Sequence, residues 1–191
     1  MSERIELSRI VNLAHDRSRR RFIGGLCGLV TTAGLVPARA RANQTPRELR
    51  FYHTHTGERL SIAYRNASGY LTESLAELTR FLADFRTGDR KPIDPALFDI
   101  LDGIQRLTAS NGTWEIISGY RSPETNAALR SHSRGVAEHS LHLDGKAIDL
   151  RLTGVDLADL RDAAWSLQEG GVGYYPGSNF IHVDTGRVRR W

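Results

Sequence analysis

Two short apolar segments in the last third of the sequence carry ionisable side chains at alternating positions. Residues 146–151 (KAIDLR) and 180–184 (FIHVD) have the period of two that is typical of β-strands. The pattern places Asp149 on one face of the first strand, and His182 and Asp184 on one face of the second. An ionised carboxylate among branched apolar residues needs a strong partner. We therefore predict two core strands whose polar groups bind each other or a cation.

Strand-like and helix-like segments are mixed along the rest of the chain. Strands are predicted at residues 49–53, 60–64, 114–118 and 172–175, the first two as a hairpin, and helices at residues 71–85, 94–107, 123–130 and 156–168. Residues 131–145 are polar and rich in Gly and His, which predicts a loop. This order predicts an α+β fold with a small antiparallel sheet packed with helices.

The charge of the chain is concentrated in its first residues. Eight of the 26 basic residues and three of the 22 acidic residues lie in residues 1–42. Residues 43–191 therefore contain 18 basic and 19 acidic residues. The segment 43–191 has a net charge of −1, which does not favour binding to a phosphate backbone, so nucleic acid is not an expected partner. One cysteine in 191 residues excludes an internal disulfide framework and a cysteine-rich zinc module.

Residues 1–42 have the layout of an export signal. A basic run that includes Arg19 and Arg20 precedes an uncharged apolar run of 15 residues, 22–36, which is short of the roughly 20 needed to span a bilayer. The arginine pair resembles a twin-arginine signal, and residues 38–42 (ARARA) resemble a signal-peptidase site. We expect a cleaved signal, a periplasmic domain at 43–191 and no lasting membrane anchor. The alternative is an uncleaved amphipathic or membrane helix.

The ionisable residues of the two core strands, together with His142 on the preceding loop, suggest a metal site. Two histidines and one carboxylate, here His142, His182 and Asp149, form a three-ligand zinc set with a position open for water. From residue types alone, a core His–Asp hydrogen bond without a metal remains the alternative.

The spacing of these residues resembles that of one group of enzymes. Residues 140–149 read S-x-H-x-x-G-x-A-x-D, and a later histidine lies in FIHVD. This pattern resembles the zinc D-alanyl-D-alanine carboxypeptidase and murein endopeptidase superfamily. Residues 118–123 (SGYRSP) and 170–175 (GGVGYY) resemble its murein endopeptidase K branch.

The resemblance implies roles for individual residues. His142, Asp149 and His182 match the zinc ligands of the family. Arg121 matches an arginine that stabilises the oxyanion developing on the substrate carbonyl. Ser140 either shapes the ligand loop or binds substrate by a hydrogen bond; the alternative is a plain loop or capping serine.

One position departs from the pattern of several relatives, which have an acidic general base three residues before the last histidine. Here that residue is Asn179, which cannot accept a proton at neutral pH. Asp184 is the nearest substitute as a catalytic base, and Glu138 and His139 are weaker ones. The alternative role for Asp184 is to orient a ligand histidine by a hydrogen bond.

Three further groups of side chains have weaker assignments. Tyr174 is expected to bind substrate in the cleft, and Tyr175 either to line it or to pack. His53 and His55 are expected to form a polar hairpin rim rather than a second metal pair. The basic residues of segment 187–190 are either solvated or contact acidic peptide stems.

Together these features predict an exported zinc metallopeptidase with Zn²⁺ as cofactor and the peptide stems of peptidoglycan as partner. The expected reaction is hydrolysis of peptide cross-links during cell-wall growth or remodelling. The alternatives are a D-Ala-D-Ala carboxypeptidase and a catalytically silent, zinc-containing module that binds the wall.

Overall fold

The structure is a computed structural model that describes residues 45–132 and 135–191. The strands are β1 (Arg47–His53), β2 (Arg59–Asn66), β3 (Gly69–Tyr70), β4 (Trp114–Ser118), β5 (Ala147–Leu152), β6 (Gly171–Tyr175), β7 (Phe180–Asp184) and β8 (Arg189–Arg190). The helices are α1 (Thr72–Phe81), α2 (Ala96–Leu107), α3 (Pro123–His132) and α4 (Leu157–Leu167). The predicted export signal at 1–42 lies outside the described residues.

The eight strands form one sheet in the order β3-β2-β1-β4-β5-β7-β6-β8. Most neighbours are antiparallel, but β1 pairs with β4, and β6 with β8, in parallel. The connection from β1 to β4 passes through β2, β3, α1 and α2, which is long enough for a parallel return. The α+β prediction is confirmed, and the sheet is larger and more mixed than the small antiparallel one that was expected.

The predicted helices and strands are all present, whereas the two-residue strands β3 and β8 were not predicted, and several ends of β1, β2 and the helices differ. Helix α1 ends at Phe81, four residues before the predicted end. Helix α4 ends at Leu167 because Gln168 adopts a left-handed conformation, with φ of 55°. In α3, Ser122 caps the helix, since its Oγ accepts a hydrogen bond from the Thr125 N–H at 3.1 Å. No helix in the described ranges is long and apolar enough to cross a bilayer.

The apolar faces of β5 and β7 lie in the core of the molecule. Ile148, Leu150, Ile181 and Val183 are each at most 1% exposed. Burying a side chain of this size contributes about 2 kcal/mol to stability. The two strands are antiparallel neighbours, with Ile148 opposite Val183. The strong burial of one face fixes the register of the pair, and the register brings the polar residues of the other face together.

Candidate metal centre and active site

Three ionisable side chains from two strands and one turn converge at the centre of the sheet. Asp149 of β5 is the cross-strand partner of His182 of β7, and Asp149 Oδ1 lies 2.8 Å from His182 Nδ1. His142 Nε2 lies 3.2 Å from each of these two atoms. All three side chains are buried, and their ligand atoms lie within 4.8 Å of one another. Among the described residues, this is the one group of three side chains that could hold a metal ion.

A tight turn brings His142 to the strands. His142 lies in a short 3₁₀ segment, Leu141–Asp144, that ends at Gly145. Gly145 has φ of 66°, and a Cβ there would collide with the backbone carbonyl of Pro92. Glycine meets both requirements because it has no Cβ. Gly145 therefore turns the chain sharply between His142 and Asp149.

Hydrogen bonds on the outer side of each imidazole fix which nitrogen carries the proton. His142 Nδ1 lies 2.7 Å from the Gly119 carbonyl oxygen, to which it donates. His182 Nε2 lies 3.0 Å from Asp184 Oδ2 and donates to it. In the neutral rings, the inner nitrogens are therefore lone-pair donors that face the Asp149 carboxylate. Three electron-pair donors in contact repel one another unless a cation lies between them, so the donor set fits a divalent metal such as zinc.

The electrostatic environment sets the charge of each ligand group. Burial lowers the pKa of His142 and favours its neutral form. Burial alone would raise the pKa of the Asp149 carboxyl, but His142 and His182 lower it below its usual range. For His182, burial alone would lower the pKa, and the hydrogen bonds to Asp149 and Asp184 raise it. Asp149 is therefore ionised, as a metal ligand must be.

Asp184 lies behind His182, on the side of the ring opposite to the converging atoms. It is fully buried, and Arg189 donates to both of its oxygens, at 3.0 and 2.7 Å. The backbone N–H groups of Gly171 and Gly186 also donate to Oδ1. Burial alone would raise the pKa of Asp184, but the bonds from His182 and Arg189 lower it below its usual range. A carboxylate held in this way orients the imidazole, and the position does not support the expected role as a catalytic base.

Arg121 is the buried cation of the site. Its Nη2 donates to Asp149 Oδ2 at 3.1 Å and lies 3.4 Å from Ser118 Oγ, while Nε has no partner within the described part of the chain. Burial lowers its pKa, although a guanidinium stays charged in proteins. Arg121 directly precedes Ser122, whose N–H donates to Asp84 Oδ2 at 2.8 Å. The structure thus places Arg121 beside the predicted ligands.

The converging side chains open into a cavity of about 490 Å³. It is lined by Arg121, Leu129, Gly135, Val136, Ala137, Leu141, His142, Asp149, Tyr175, Ser178, Phe180, His182, Arg189 and Trp191. Tyr175 and Phe180 form one wall as stacked rings, with centroids 4.7 Å apart. Trp191 forms another wall, and its ring lies 5.3 Å from the His182 ring. No local pattern in the sequence assigned Trp191 a role in the site.

Two residues that were expected to contact substrate lie elsewhere. Tyr174 lines a neighbouring pocket, and Tyr175 lines the cleft, because successive residues of β6 point to opposite faces. Ser140 has an extended backbone just before the 3₁₀ turn, and its side chain makes no capping hydrogen bond there. Ser140 is absent from the cleft lining.

The two weaker base candidates are on the surface. Glu138 is exposed and pairs with Arg130 at 3.1 Å, and His139 is exposed as well. Neither lines the cleft, and among the described residues Asp149 is the one carboxylate in its lining. Asn179 is exposed at the turn before β7, with φ of 54°.

His53 and His55 do not join the metal centre. His53 is 1% exposed and packs edge-on to Phe81 and Phe85, so it is not part of a polar rim. His55 stacks on Phe85, with ring centroids 4.1 Å apart. Neither belongs to a cluster of three metal-ligating side chains within residues 45–132 and 135–191.

Comparisons with known proteins show which family the chain resembles. The model of a family described as "Peptidoglycan L,D-endopeptidase MepK" matches residues 41–191. The Peptidoglycan L,D-endopeptidase MepK of Escherichia coli (strain K12) is 43% identical over 179 residues, which cover 92% of this chain and 98% of that protein. The Probable peptidoglycan L,D-endopeptidase MepK of Haemophilus influenzae is 44% identical over 180 residues, 92% of this chain and 96% of that protein. No solved structure matches the chain.

Proposed function

The chain belongs to the peptidoglycan L,D-endopeptidase MepK family, and we propose that it hydrolyses L,D peptide bonds in peptidoglycan cross-links with a zinc ion held by His142, Asp149 and His182. The observation that carries the proposal is the convergence of two imidazole nitrogens and a carboxylate oxygen within 4.8 Å, with the outer nitrogen of each ring bound to its own acceptor.

The zinc ion and the protein would contribute different parts of the chemistry. Bound zinc polarises a carbonyl oxygen and lowers the pKa of a water molecule, which allows attack on a peptide bond at neutral pH. The chain holds the ligand atoms in place. Gly119 and Asp184 fix the two imidazole rings, and Arg121 holds one oxygen of Asp149. Fixed outer partners of this kind raise metal affinity by about 10- to 100-fold.

Arg121 has a second role in the proposal, as the group that stabilises negative charge on the scissile carbonyl oxygen. Its guanidinium lines the cleft, and among the described residues its hydrogen bonds to Asp149 and Ser118 engage only Nη2, so a donor is left after binding Asp149. It is only 8% exposed, and a charge acts more strongly where water is excluded. Removing such a donor typically slows turnover by about 100- to 1,000-fold.

Asp184 is proposed as a positioning residue. It does not line the cleft, and its oxygens are occupied by Arg189, two backbone N–H groups and His182. Ser140 and Tyr174 are not proposed to contact the scissile bond, since neither lines the cleft.

We further propose that residues 1–42 are a twin-arginine signal and that the domain from residue 43 works in the periplasm. The support is the Arg19–Arg20 pair with the apolar run after it, together with a peptidoglycan substrate, which lies outside the cytoplasmic membrane.

Product analysis on purified muropeptides tests the proposed function. The chain without residues 1–42 is incubated with cross-linked dimers and with pentapeptide monomers, and the Asp149→Asn variant is the control. Conversion of dimers to monomers, absent in the control and blocked by a chelator, is the expected result. Loss of one terminal residue from pentapeptides would instead identify a carboxypeptidase. Unchanged substrates with zinc retained would identify a silent wall-binding module.

A further inference from the structure

Tyr175 lies on the same face of the sheet as the proposed metal ligands. It is the last residue of β6 and the cross-strand partner of Phe180, which lies two residues before His182 on β7. The strand period of two places Phe180 and His182 on one face, and directly opposed residues of neighbouring strands share a face. The stacked rings of Tyr175 and Phe180 both line the cleft. Tyr175 therefore reaches the cleft directly, whereas Tyr174 lines a pocket on the other face.

The Trp191 indole holds the Tyr175 side chain in place. Trp191 Nε1 donates a hydrogen bond to Tyr175 Oη at 2.7 Å. The Trp191 backbone is bound to β6, since its N–H donates to the Val172 carbonyl oxygen and its carbonyl oxygen accepts from the Tyr174 N–H. The phenol is thus fixed by the indole and by the stack on Phe180. A group that is already held in place loses little conformational freedom when it binds a ligand.

The bond from Trp191 leaves the hydroxyl proton of Tyr175 available. An indole N–H is only a donor, so Tyr175 Oη is the acceptor in this bond. A phenol has one proton of its own to donate, and no acceptor for it lies among residues 45–132 and 135–191. Accepting one hydrogen bond strengthens a hydroxyl as a donor to the next group. Tyr175 therefore presents a directed, neutral donor to the cleft.

The other side-chain donors of the cleft differ from Tyr175. Arg121 and Arg189 are cations whose guanidinium groups bind buried carboxylates. Ser178 is an exposed residue of the turn between β6 and β7. A neutral donor suits a neutral acceptor, and a peptide offers such an acceptor in each of its amide carbonyl groups.

We propose that Tyr175 binds the peptide stem by donating its hydroxyl proton to an amide carbonyl oxygen adjacent to the scissile bond. The inference rests on the proposed function, in which the substrate is a peptide chain that crosses the metal centre. This contact is made to the intact substrate and to the transition state alike. It therefore lowers KM and leaves kcat unchanged.

The first test compares the two tyrosines of β6. Tyr175→Phe removes the hydroxyl and keeps the ring that stacks on Phe180, and Tyr174→Phe is the matched control on the opposite face. On a cross-linked muropeptide, Tyr175→Phe should raise KM about 5-fold with kcat unchanged, because one neutral hydrogen bond is lost. Tyr174→Phe should leave both constants unchanged. Equal KM values for the two variants would overturn the proposal.

A change in the substrate tests the acceptor. In two analogues, the amide on one or the other side of the scissile amide is replaced by an ester, whose carbonyl oxygen is a weaker acceptor. The unmodified chain should show a higher KM for one of these esters than for the amide substrate, and in Tyr175→Phe that difference should shrink. The same ester penalty in both proteins at both positions would show that the hydroxyl pairs with neither carbonyl, which contradicts the proposal.

A binding measurement separates failure of this contact from failure of the proposed function. Calorimetry with an uncross-linked stem peptide does not require cleavage. The unmodified chain and Tyr174→Phe should bind the peptide about 5-fold more tightly than Tyr175→Phe does. If no muropeptide is cut but this difference is seen, the proposed function fails and the Tyr175 contact stands. If cleavage is seen and all three proteins bind equally, the Tyr175 contact fails alone. Absence of both cleavage and binding would overturn both.

Discussion

Asp149 and His182 face each other on adjacent antiparallel strands, with Asp149 Oδ1 2.8 Å from His182 Nδ1. The candidate metal centre therefore depends on the register of β5 and β7. A slip of one residue would move one of the two side chains to the apolar face, where Ile148 and Val183 now pack. The buried apolar face and the polar site stabilise the same register.

The three proposed ligands can be tested by metal content. His142→Ala, Asp149→Ala and His182→Ala should each weaken zinc binding by more than about 100-fold, because each removes one of three protein ligands. The measurement is elemental analysis after dialysis. His132→Ala, on the exposed end of α3, is the control and should keep its zinc. One zinc per chain in any of the three variants would exclude that residue as a ligand.

The role of Asp184 can be separated from that of a base. Asp184→Asn should weaken zinc affinity by about 10- to 100-fold, and added zinc should restore part of the activity, because His182 loses its fixed orientation. Arg189→Gln, which removes the other charged partner of Asp184, should have a smaller effect of the same kind. A loss of about 100-fold in turnover with zinc affinity unchanged would instead support a base.

Gly173 lets the Trp191 indole lie against β6 beside His182. A Cβ at residue 173 would lie 2.8 Å from the indole carbons Cε2 and Cζ2. Gly173→Ala should therefore displace the ring, shift the tryptophan fluorescence and cost about 1–3 kcal/mol of stability through overpacking. We expect kcat/KM to fall by about 10-fold with zinc content unchanged, since a wall of the cleft moves.

Gly177→Ala is the control for this variant, because a Cβ there meets nothing within 4 Å. Identical fluorescence and kinetics in the two variants would show that Trp191 does not shape the cleft.

Asp84 should make the free energy of unfolding depend on pH in the acid range. Burial alone would raise its pKa, but hydrogen bonds from Thr125, Ser122 and Arg86 lower it to about 2. Because the pKa is lower in the folded state than in the unfolded state, the stabilisation is present above about pH 4 and is lost as the pH falls to about 2. Asp84→Asn should lower the free energy of unfolding by about 2 kcal/mol at pH 7 and flatten the acid dependence.

Urea unfolding at a series of pH values measures this effect. Asp89→Asn is the control, since Asp89 is exposed on the same loop. Parallel pH profiles for Asp84→Asn and the unmodified chain would rule out Asp84 as the source of the dependence.

The export signal is tested by replacing Arg19 and Arg20 with lysines. The twin-arginine receptor reads the arginine pair, so the precursor should stay in the cytoplasm with residues 1–42 attached. Cell fractionation with an antibody against the domain gives the measurement. Normal processing and periplasmic recovery would point to the general secretory route.

Local sequence patterns predicted the four helices and six of the eight strands, but not the two-residue strands β3 and β8. The period of two in residues 180–184 predicted β7 with its observed bounds, and 114–118 predicted β4 equally well. The same alternation predicted that His182 and Asp184 share a face, and they form a hydrogen bond of 3.0 Å. The spacing of residues 140–149 identified His142 and Asp149, which the structure brings into contact.

The relationships between strands could not be read from the sequence, because periodicity shows which residues share a face but not which strands become neighbours. The pairing of β7 with β5 set Asp149 against His182. The pairing of β6 with β8 carried Trp191 to the cleft and Arg190 to the pocket that Tyr174 lines. Tertiary contacts also placed Asp184 between the His182 imidazole and the Arg189 guanidinium. Each of these depends on contacts between residues distant in the chain, which form only when the buried faces of the sheet pack together.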